Sequence, residues 1–292
     1  MRLFMSAENK GKRKTFRINP WLAKILIVIL VGVIGYEGYD IYKEVHEREV
    51  AVKEYDDIAS SAVSTNPEKD PETGEESVAI DEETGIPELV IDYDLLSSQN
   101  SDFIGWLYWD FDVEDDKFDF TLNYPIVKEH YANQYLHVTF TGEKNSSGCI
   151  FLDEFSNENF MGYSDFLFGH NMRNGSMFGS LDSLYKIPNR EEISEEPMYF
   201  YIYTKDAVFK YVVYEFESTT NGNDTVYAVI EDDAGYDSYV SRLKNLNNYN
   251  CPIDISFEDR PEILNLSTCS GPHGSSKRFV IHAVKVGTIE NT

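Results

Sequence analysis

The sequence predicts a mainly β domain, folded as a closed antiparallel barrel with a few peripheral helices and preceded by one N-terminal transmembrane helix. Short strand-like runs follow one another between loops, with few helical stretches among them, which is typical of barrels. The 292 residues include 20 Tyr and 18 Phe, residue types enriched in strands. A hydrophobic share of 42% is enough for a packed core, and the length allows one sizeable domain plus accessory segments.

The charge is distributed unevenly along the chain. The formal net charge is −26, but residues 1–36 carry a net charge of +6 and the remainder carries −32. So acidic a surface repels phosphate backbones, which excludes nucleic acid as a partner. The basic start suits the anionic cytoplasmic face of a membrane.

The N-terminal region predicts a membrane anchor. Residues 1–20 read as a basic cytoplasmic segment, and residues 21–36 are apolar except for Lys24, whose stem can reach the interface. A cleaved signal peptide is the alternative, but the residues that follow, E-G-Y-D, offer no small-residue cleavage site. Positive charge ahead of the span places the N-terminus inside the cell and the remaining chain on the extracellular face of a single-pass protein.

Residues 37–88 predict an extracellular stalk and linker. Residues 37–63 are helix formers, with apolar side chains at 41, 45, 52, 55, 58 and 62, which indicates a mostly polar helix leaving the membrane. Residues 64–88 are acidic and contain Pro and Gly, which predicts a flexible spacer. The folded domain is then expected to cover residues 89–292.

Strands dominate the predicted elements of residues 89–292. A short helix starts within 91–102, and further helices are expected at 176–185 and 233–247. The second of these has Tyr236, Tyr239, Val240, Leu243 and Leu246 on one face. The predicted strands are 105–111, 118–128, 135–140, 148–155, 165–170, 198–204, 207–219, 261–268 and 278–289.

Two of these strands frame a reactive thiol. Cys269 ends the apolar run 261–268, and Arg278 begins the next strand after a loop rich in Gly and Ser. Antiparallel pairing of the two strands brings thiol and guanidinium close together. A cation beside a thiol lowers its pKa, and fixed donors can hold a developing oxyanion.

A thiol nucleophile also needs a base, and two histidines compete for that role. His170 ends the strand-like run F-L-F-G-H, whereas His273 lies in the Gly- and Ser-rich loop, which would hold a base poorly. A lone Cys at an apolar strand end is more often structural than catalytic, and Cys149 reads as such a core residue. The residues alone therefore leave both the nucleophile and the base open.

Several motifs together resemble one family. The run L-S-T-C followed by R-F-V-I-H, with F-G-H-N-M-R-N-G-S-M-F-G upstream, resembles the class B sortases, cysteine transpeptidases of Gram-positive cell surfaces. The similarity continues upstream through N-S-D-F-I-G-W-L, L-N-Y-P-I-V, N-Q-Y-L and G-C-I-F-L-D, and so covers about the last two hundred residues. Asn265 departs from the family pattern, which has Thr at that position, and so does the Gly- and Ser-rich loop after Cys269.

The resemblance implies the sortase barrel, with helix 233–247 in the long connection that marks class B, and it implies roles for the site residues. Cys269 is expected to attack a backbone carbonyl of a C-terminal sorting signal and form a thioester, with His170 transferring protons and Arg278 holding the oxyanion. Ser267 and Thr268 end the same strand, and Ser267 shares a face with Cys269, so both are expected to line the groove. The family adds Asn133, Leu136 and Tyr239 as groove walls.

The resemblance also implies the partners. These are secreted proteins with a sorting signal, and a peptidoglycan precursor that supplies the acceptor amine; no cofactor is expected. The spacing of His, Cys, Asp and Glu predicts no metal site. Two alternatives remain: an extracellular cysteine peptidase that passes the thioester to water, and an inactive membrane-anchored binding module. The intact Cys/His/Arg set disfavours the module, and the resemblance disfavours the peptidase.

Overall fold

The computed structural model describes residues 19–65, 67–69, 76–111, 120–181, 183–184, 196–270 and 274–291. The chain divides into two compact units, one ending at His46 and the other starting at Glu47. The first helix, α1 (Pro20–Ala62), belongs to both units.

In the first unit, α1 begins at an N-cap residue, Asn19, that is followed by a proline. The Asn19 side chain accepts a hydrogen bond from Trp21 N at 3.0 Å, and Pro20 occupies the first helical position, where its missing N–H costs nothing. The apolar side chains from Trp21 to Tyr36 are largely exposed. Within the described residues, α1 is the one helix long and apolar enough to cross a membrane, judged by length and composition.

In the second unit, the last turns of α1 pack against the folded domain. Ala51, Tyr55, Ile58 and Ala62 are buried, at spacings of four, three and four residues that put them on one helical face. The Tyr55 hydroxyl donates to the Gly148 carbonyl at 2.6 Å. This unit therefore starts well ahead of residue 89, where the sequence predicted the domain to begin.

The predicted spacer, residues 64–88, ends on the barrel. Two short sheets lie along it, formed by β1 (Val63–Thr65) with β4 (Leu89–Ile91) and by β2 (Pro67–Lys69) with β3 (Glu76–Val78). Ile86 is buried, and the hydroxyls of Tyr201 and Tyr203 donate to the carbonyls of Gly85 and Pro87 at 2.9 and 2.6 Å. These contacts hold the described end of the spacer in place, so that part is not the flexible linker that its composition indicated.

The remaining strands close into a barrel after the short helix α2 (Tyr93–Gln99), which Asp92 caps. The neighbour order around the barrel is β10-β12-β11-β8-β7-β6-β5-β9. The strands are β5 (Phe103–Phe111), β6 (Phe120–Lys128), β7 (Ile150–Leu152), β8 (Ser164–Phe168), β9 (Tyr199–Tyr203), β10 (Ala207–Thr220), β11 (Ile263–Cys269) and β12 (Lys277–Glu290).

The barrel is confirmed, but it is mixed rather than antiparallel. Strand β6 pairs with β7 in parallel, and so does β8 with β11, whereas the other described pairings are antiparallel. Parallel neighbours need long crossover connections, and the chain supplies them between each of these pairs.

Two predicted elements of the domain take another form. Residues 135–140 are not a strand, because the chain folds there into turns with an isolated bridge between Val138 and Lys144. Residues 176–181 of the predicted helix 176–185 form turns with i→i−3 hydrogen bonds, such as Gly179 N to Ser176 O at 2.9 Å, whereas its other described residues, 183–184, are helical.

The helix predicted over 233–247 is present but shorter. This helix, α3 (Asp233–Leu243), is capped by Asp232 and buries Tyr236, Tyr239, Val240 and Leu243. It does not reach 247, where Asn247 has a left-handed φ of 53° that no helix interior accepts.

Candidate active site

Strands β8 and β11 bring a histidine and a cysteine to the same edge of the sheet. They pair in parallel, with Phe168 opposite Ser267, so both end on the same side. Contact continues beyond the paired residues, because Gly169 N donates to Ser267 O at 3.3 Å and Thr268 Oγ1 donates to Gly169 O at 2.8 Å. His170 and Cys269, each the next residue along its chain, are thereby placed side by side.

Strand β12 adds the arginine on the other side of the thiol. Cys269 and Arg278 are direct partners in the antiparallel β11–β12 ladder. Directly opposite residues have Cβ atoms about 5 Å apart and side chains on the same face. Arg278 Nη1 donates to the carbonyls of Ser275 and Lys277 at 3.2 and 2.9 Å. Since the guanidinium carries five N–H groups, it retains further donors for a substrate oxygen.

The thiol of Cys269 is exposed, in contrast to the other cysteines. Six consecutive residues of β11, from Ile263 to Thr268, are buried, and Cys269 emerges at the end of the strand. Cys149 is buried and Cys251 is partly buried. Burial raises the pKa of Cys149 to about 12, so its thiol stays protonated and unreactive at neutral pH.

His170 is held in one tautomer by the backbone. Its Nε2 lies 2.7 Å from the Leu136 carbonyl, which can only accept, so Nε2 carries the proton and Nδ1 is the basic nitrogen. The ring stacks on His137, with centroids 5.5 Å apart. Burial lowers the pKa of His170, as do the neighbouring charges of His137 and Arg278, while the bond to Leu136 opposes these effects. His170 is therefore neutral at pH 7 and able to accept a proton.

The residues on either side of His170 fix the site. Gly169 has no room for a side chain, since a Cβ there would lie 2.5 Å from Ile150 Cδ1 and 2.8 Å from the Phe178 ring. The Asn171 amide donates to the Cys269 carbonyl at 2.7 Å. Asn171 thus ties the loop after β8 to the end of β11.

A groove of about 410 Å³ runs over these residues. Aromatic side chains form its floor: Phe151 and Phe168 stack with centroids 5.7 Å apart, and Tyr227 lies 5.3 Å from Phe166. The residues predicted from the sequence that line it are His170, Cys269, Arg278, Ser267, Thr268, Asn133 and Leu136.

The two strand-end hydroxyls have different surroundings. Ser267 is fully buried, and its hydroxyl lies 2.9 Å from the Tyr227 hydroxyl, so the pair forms part of the groove floor. The Thr268 hydroxyl is occupied in its bond to Gly169, the strand-end contact described above.

Tyr239 is not among the residues that line the groove. It lies on the buried face of α3, where its hydroxyl donates to Asn265 Oδ1 at 3.2 Å and lies 3.1 Å from His282 Nδ1. Asn265 also donates to Ser164 Oγ and the Asp165 carbonyl, and His282 Nε2 lies 3.0 Å from Glu217. The Asn that departs from the family pattern is therefore the centre of a buried polar network.

Two further predictions about the site concern His273 and a metal ion. His273, the rival base, lies outside the described residues. In the part of the chain that the structure describes, no group of three or more His, Cys, Asp or Glu side chains is arranged to hold a metal ion.

The groove also contains residues that the sequence did not single out. Tyr227 and Asn221 come from the connection between β10 and α3, and Glu129, Asp153 and Glu154 follow the ends of β6 and β7. None of these residues belongs to a periodic pattern that would have predicted its role. Asn171 could have been picked out from the sequence, because it directly follows His170.

The chain is similar to one protein family and to several of its members. The profile of the sortase domain family matches residues 116–286. Sortase B of Listeria monocytogenes is 27% identical over 266 residues, covering 87% of this chain and 92% of that protein. The crystal structure of sortase B from B. anthracis in complex with AAEK1 superposes with a TM-score of 0.57 at 24% identity, covering 84% of this chain and 99% of that one. A Staphylococcus aureus sortase B–substrate complex gives a TM-score of 0.54 at 22% identity, covering 66% and 84%.

Proposed function

The chain belongs to the sortase family of cysteine transpeptidases, and from that membership we propose that Cys269, His170 and Arg278 carry out the transpeptidation of a C-terminal sorting motif. The observation that carries the proposal is the strand register, which puts Cys269 beside Arg278 on one side and beside His170 on the other. The groove of about 410 Å³ around them, with its aromatic floor, supports binding of a peptide.

The first half of the reaction cleaves the sorting motif. Cys269 Sγ attacks the carbonyl carbon of the scissile peptide bond while its proton passes to His170 Nδ1. The Arg278 guanidinium donates to the oxygen as it becomes negative. The C–N bond then breaks, the leaving amine takes the proton from His170, and a thioester remains on Cys269.

The second half transfers the acyl group to an amine. The acceptor, proposed to be an amine of a peptidoglycan precursor, loses a proton to His170 and attacks the thioester carbon. The C–S bond breaks, the proton returns to the thiol, and a new amide links the secreted protein to the acceptor. The low pKa of His170 suits both steps, since a neutral imidazole accepts the proton each time.

The N-terminal helix supports a proposal for the location of the protein. We infer that residues 21–36 of α1 cross the cell membrane of a Gram-positive bacterium once, with residues 1–20 inside and the catalytic unit on the cell-wall side. The basic flank and the apolar, exposed surface of the helix support this arrangement.

A peptide-library assay tests the proposed function. The full chain, purified in detergent, is mixed with a library of peptides with and without small primary amines, and products are identified by mass spectrometry. Cleavage at one motif, with amide products formed when an amine is present, is expected. Products of hydrolysis alone at every amine concentration would contradict a transpeptidase and favour a peptidase.

A further inference from the structure

Residues 135–149, between β6 and β7, supply two groups that hold the His170 ring. The Leu136 carbonyl lies 2.7 Å from Nε2, and the His137 ring stacks on the imidazole with centroids 5.5 Å apart. The described chain folds in turns along this segment and forms no strand there. Because a strand ladder does not fix the segment, its position depends on contacts with other elements.

The end of α1, residues 47–62, makes such contacts. The Asn145 amide donates to the Glu47 carbonyl at 2.8 Å, and the Tyr55 hydroxyl donates to the Gly148 carbonyl at 2.6 Å. The side chains of Tyr55 and Asn145 are both buried. Since Glu47 and Tyr55 are about two turns of helix apart, α1 holds the segment at two separate points.

The residues that α1 holds lie against the groups that hold His170. Asn145 N donates to the His137 carbonyl at 3.0 Å. Gly148 has a left-handed φ of 57°, and a Cβ there would lie 2.6 Å from the Leu136 carbonyl oxygen. So close a backbone approach couples the position of the Leu136 carbonyl to that of Gly148.

The Tyr55 ring reaches His170 by a second route. It packs edge to face on Tyr124, with centroids 5.5 Å apart, and the Tyr124 hydroxyl accepts a hydrogen bond from Met177 N at 3.0 Å. Met177 forms an isolated β-bridge with Asn171, the residue after His170. One side chain of α1 therefore supports both the segment that bonds the imidazole and the loop that follows it.

We propose that Tyr55, on the end of α1, is a positioning residue for the general base His170. The Nε2–H tautomer is favoured while the Leu136 carbonyl stays in place, because this carbonyl is the acceptor for the Nε2 proton. When the carbonyl moves, that preference is lost and Nδ1 is no longer kept free to accept the thiol proton. The inference rests on the proposed function, since it assigns a support to the base of that reaction.

Tyr203 provides a matched control, because it makes the same bond elsewhere in the fold. It is buried, like Tyr55, and its hydroxyl donates to the Pro87 carbonyl at the same distance, 2.6 Å. It holds the spacer on β9 and is not among the residues that line the groove. Tyr55→Phe and Tyr203→Phe therefore each remove one buried hydroxyl bond and keep the ring, and the contacts link only Tyr55 to His170.

The test observes the imidazole directly in the full chain. Protein labelled with ¹⁵N-histidine and purified in detergent gives ring-nitrogen NMR signals whose chemical shifts distinguish the two tautomers and the imidazolium. The signals of His170 are identified by their loss in His170→Gln. A pH titration is recorded for the wild type and for Tyr55→Phe, Tyr55→Ala and Tyr203→Phe. For a peptide that the library assay finds to be cleaved, kcat and KM are measured on the same proteins.

The wild type and Tyr203→Phe are expected to show the Nε2–H tautomer of His170. In Tyr55→Phe the population of the Nδ1–H tautomer should rise, and kcat should fall by about fivefold, as for the loss of one hydrogen bond, with KM little changed. Tyr55→Ala also removes the ring and so breaks both routes to His170, and its effect should be larger.

The titration midpoint of His170 gives a second reading. Burial lowers the pKa of the ring, and the bond to the Leu136 carbonyl opposes that effect. A weakened bond should therefore move the midpoint to lower pH in Tyr55→Phe and leave it in place in Tyr203→Phe. The charged neighbours that also lower the pKa, His137 and Arg278, are the same in both variants.

The inference is overturned if Tyr55→Phe and Tyr203→Phe give the same His170 tautomer and the same titration midpoint. Failure of the wild type to cleave any peptide contradicts the proposed function instead. The NMR spectra still test the inference in that case, because they need no substrate. Tyr55→Phe keeps the packed ring, so its comparison with Tyr203→Phe decides the matter even where Tyr55→Ala does not fold.

Discussion

At the scale of single residues, the site depends on contacts made by the backbone. The Leu136 carbonyl fixes the His170 tautomer, and the Cys269 carbonyl is held by the Asn171 amide. Groups that merely orient the reacting atoms can be altered without removing those atoms, so each contact can be tested separately.

The pH dependence of turnover should report the state of His170. Burial lowers its pKa below the ordinary imidazole value of about 6.5. The reactive form needs neutral His170, so the midpoint of the acid decline in kcat/KM, where the ring gains a proton, should lie below pH 6.5. The charge of His137 contributes to the low pKa, so His137→Gln should move this decline to higher pH.

His130 provides the control for that measurement. It is exposed and paired with Asp102 at 3.2 Å, outside the groove. His130→Gln should leave the acid limb where it is. An acid limb centred above 6.5 in the wild type would show that His170 is not the titrating base.

Asn171 should act as a positioning residue. Asn171→Ala removes the 2.7 Å bond to the Cys269 carbonyl, and we expect kcat to fall by about fivefold, as for the loss of one hydrogen bond of about 1 kcal/mol. Because the Cys and His remain, KM and the pH profile should change little. Asn174→Ala, on an exposed turn of the same loop, is the control. Equal kinetics in both variants would deny Asn171 this role.

At the scale of elements, the sequence predicts the strands that bear the site but not what surrounds them. Ile263, Leu264 and Leu266 form an apolar pattern with Gly and Pro beyond Cys269, so a strand with Cys269 at its end could be predicted. The residue pattern could not reveal that β8 lies parallel to β11, since that depends on the crossover between them.

The walls of the groove show most clearly what could not be predicted from the sequence. Leu136 lies in turns within residues 135–140, whose apolar side chains predicted a strand, and Asn133 lies in a turn just before them. Tyr239 shares an apolar helical face, which predicts burial but not the partner it packs on, and the structure puts it on Asn265 rather than in the groove. Glu129 and Tyr227 reach the groove through tertiary contacts alone.

The end of α1 should contribute to the stability of the catalytic unit. In a chain starting at Glu47, Tyr55→Ala removes a buried aromatic ring and its bond to Gly148, and should lower the free energy of unfolding by about 3 kcal/mol. Urea denaturation of the two proteins measures the difference. Lys53→Ala, exposed on the same helix, should change it by less than about 0.5 kcal/mol. Equal denaturation midpoints for the Tyr55 variant and the parent would mean that the end of α1 does not stabilise the domain.

At the scale of the whole molecule, charge and hydropathy divide the chain. Residues 1–36 carry the positive charge and the apolar run, and the remainder carries a net charge of −32. A polybasic flank favours the anionic cytoplasmic leaflet, and the acidic remainder suits a domain held away from the membrane surface.

Protease accessibility tests the proposed topology. In protoplasts of a Gram-positive host that express the full chain, added protease should remove the catalytic unit and leave a membrane-bound fragment containing residues 21–36. Detection with antibodies against each end of the chain distinguishes the products. Protection of the C-terminal end in intact protoplasts would contradict the proposed orientation.

The most direct measurement is the identification of the covalent intermediate. Wild-type protein is mixed with a cleaved peptide in the absence of acceptor, quenched in acid and analysed by peptide mapping and mass spectrometry. An acyl group on Cys269 that hydroxylamine discharges is the expected result, together with its absence in Cys269→Ala, which should fold normally and show no turnover. An adduct on Cys251 or Cys149, or full turnover by Cys269→Ala, would contradict the assignment of Cys269 as the nucleophile.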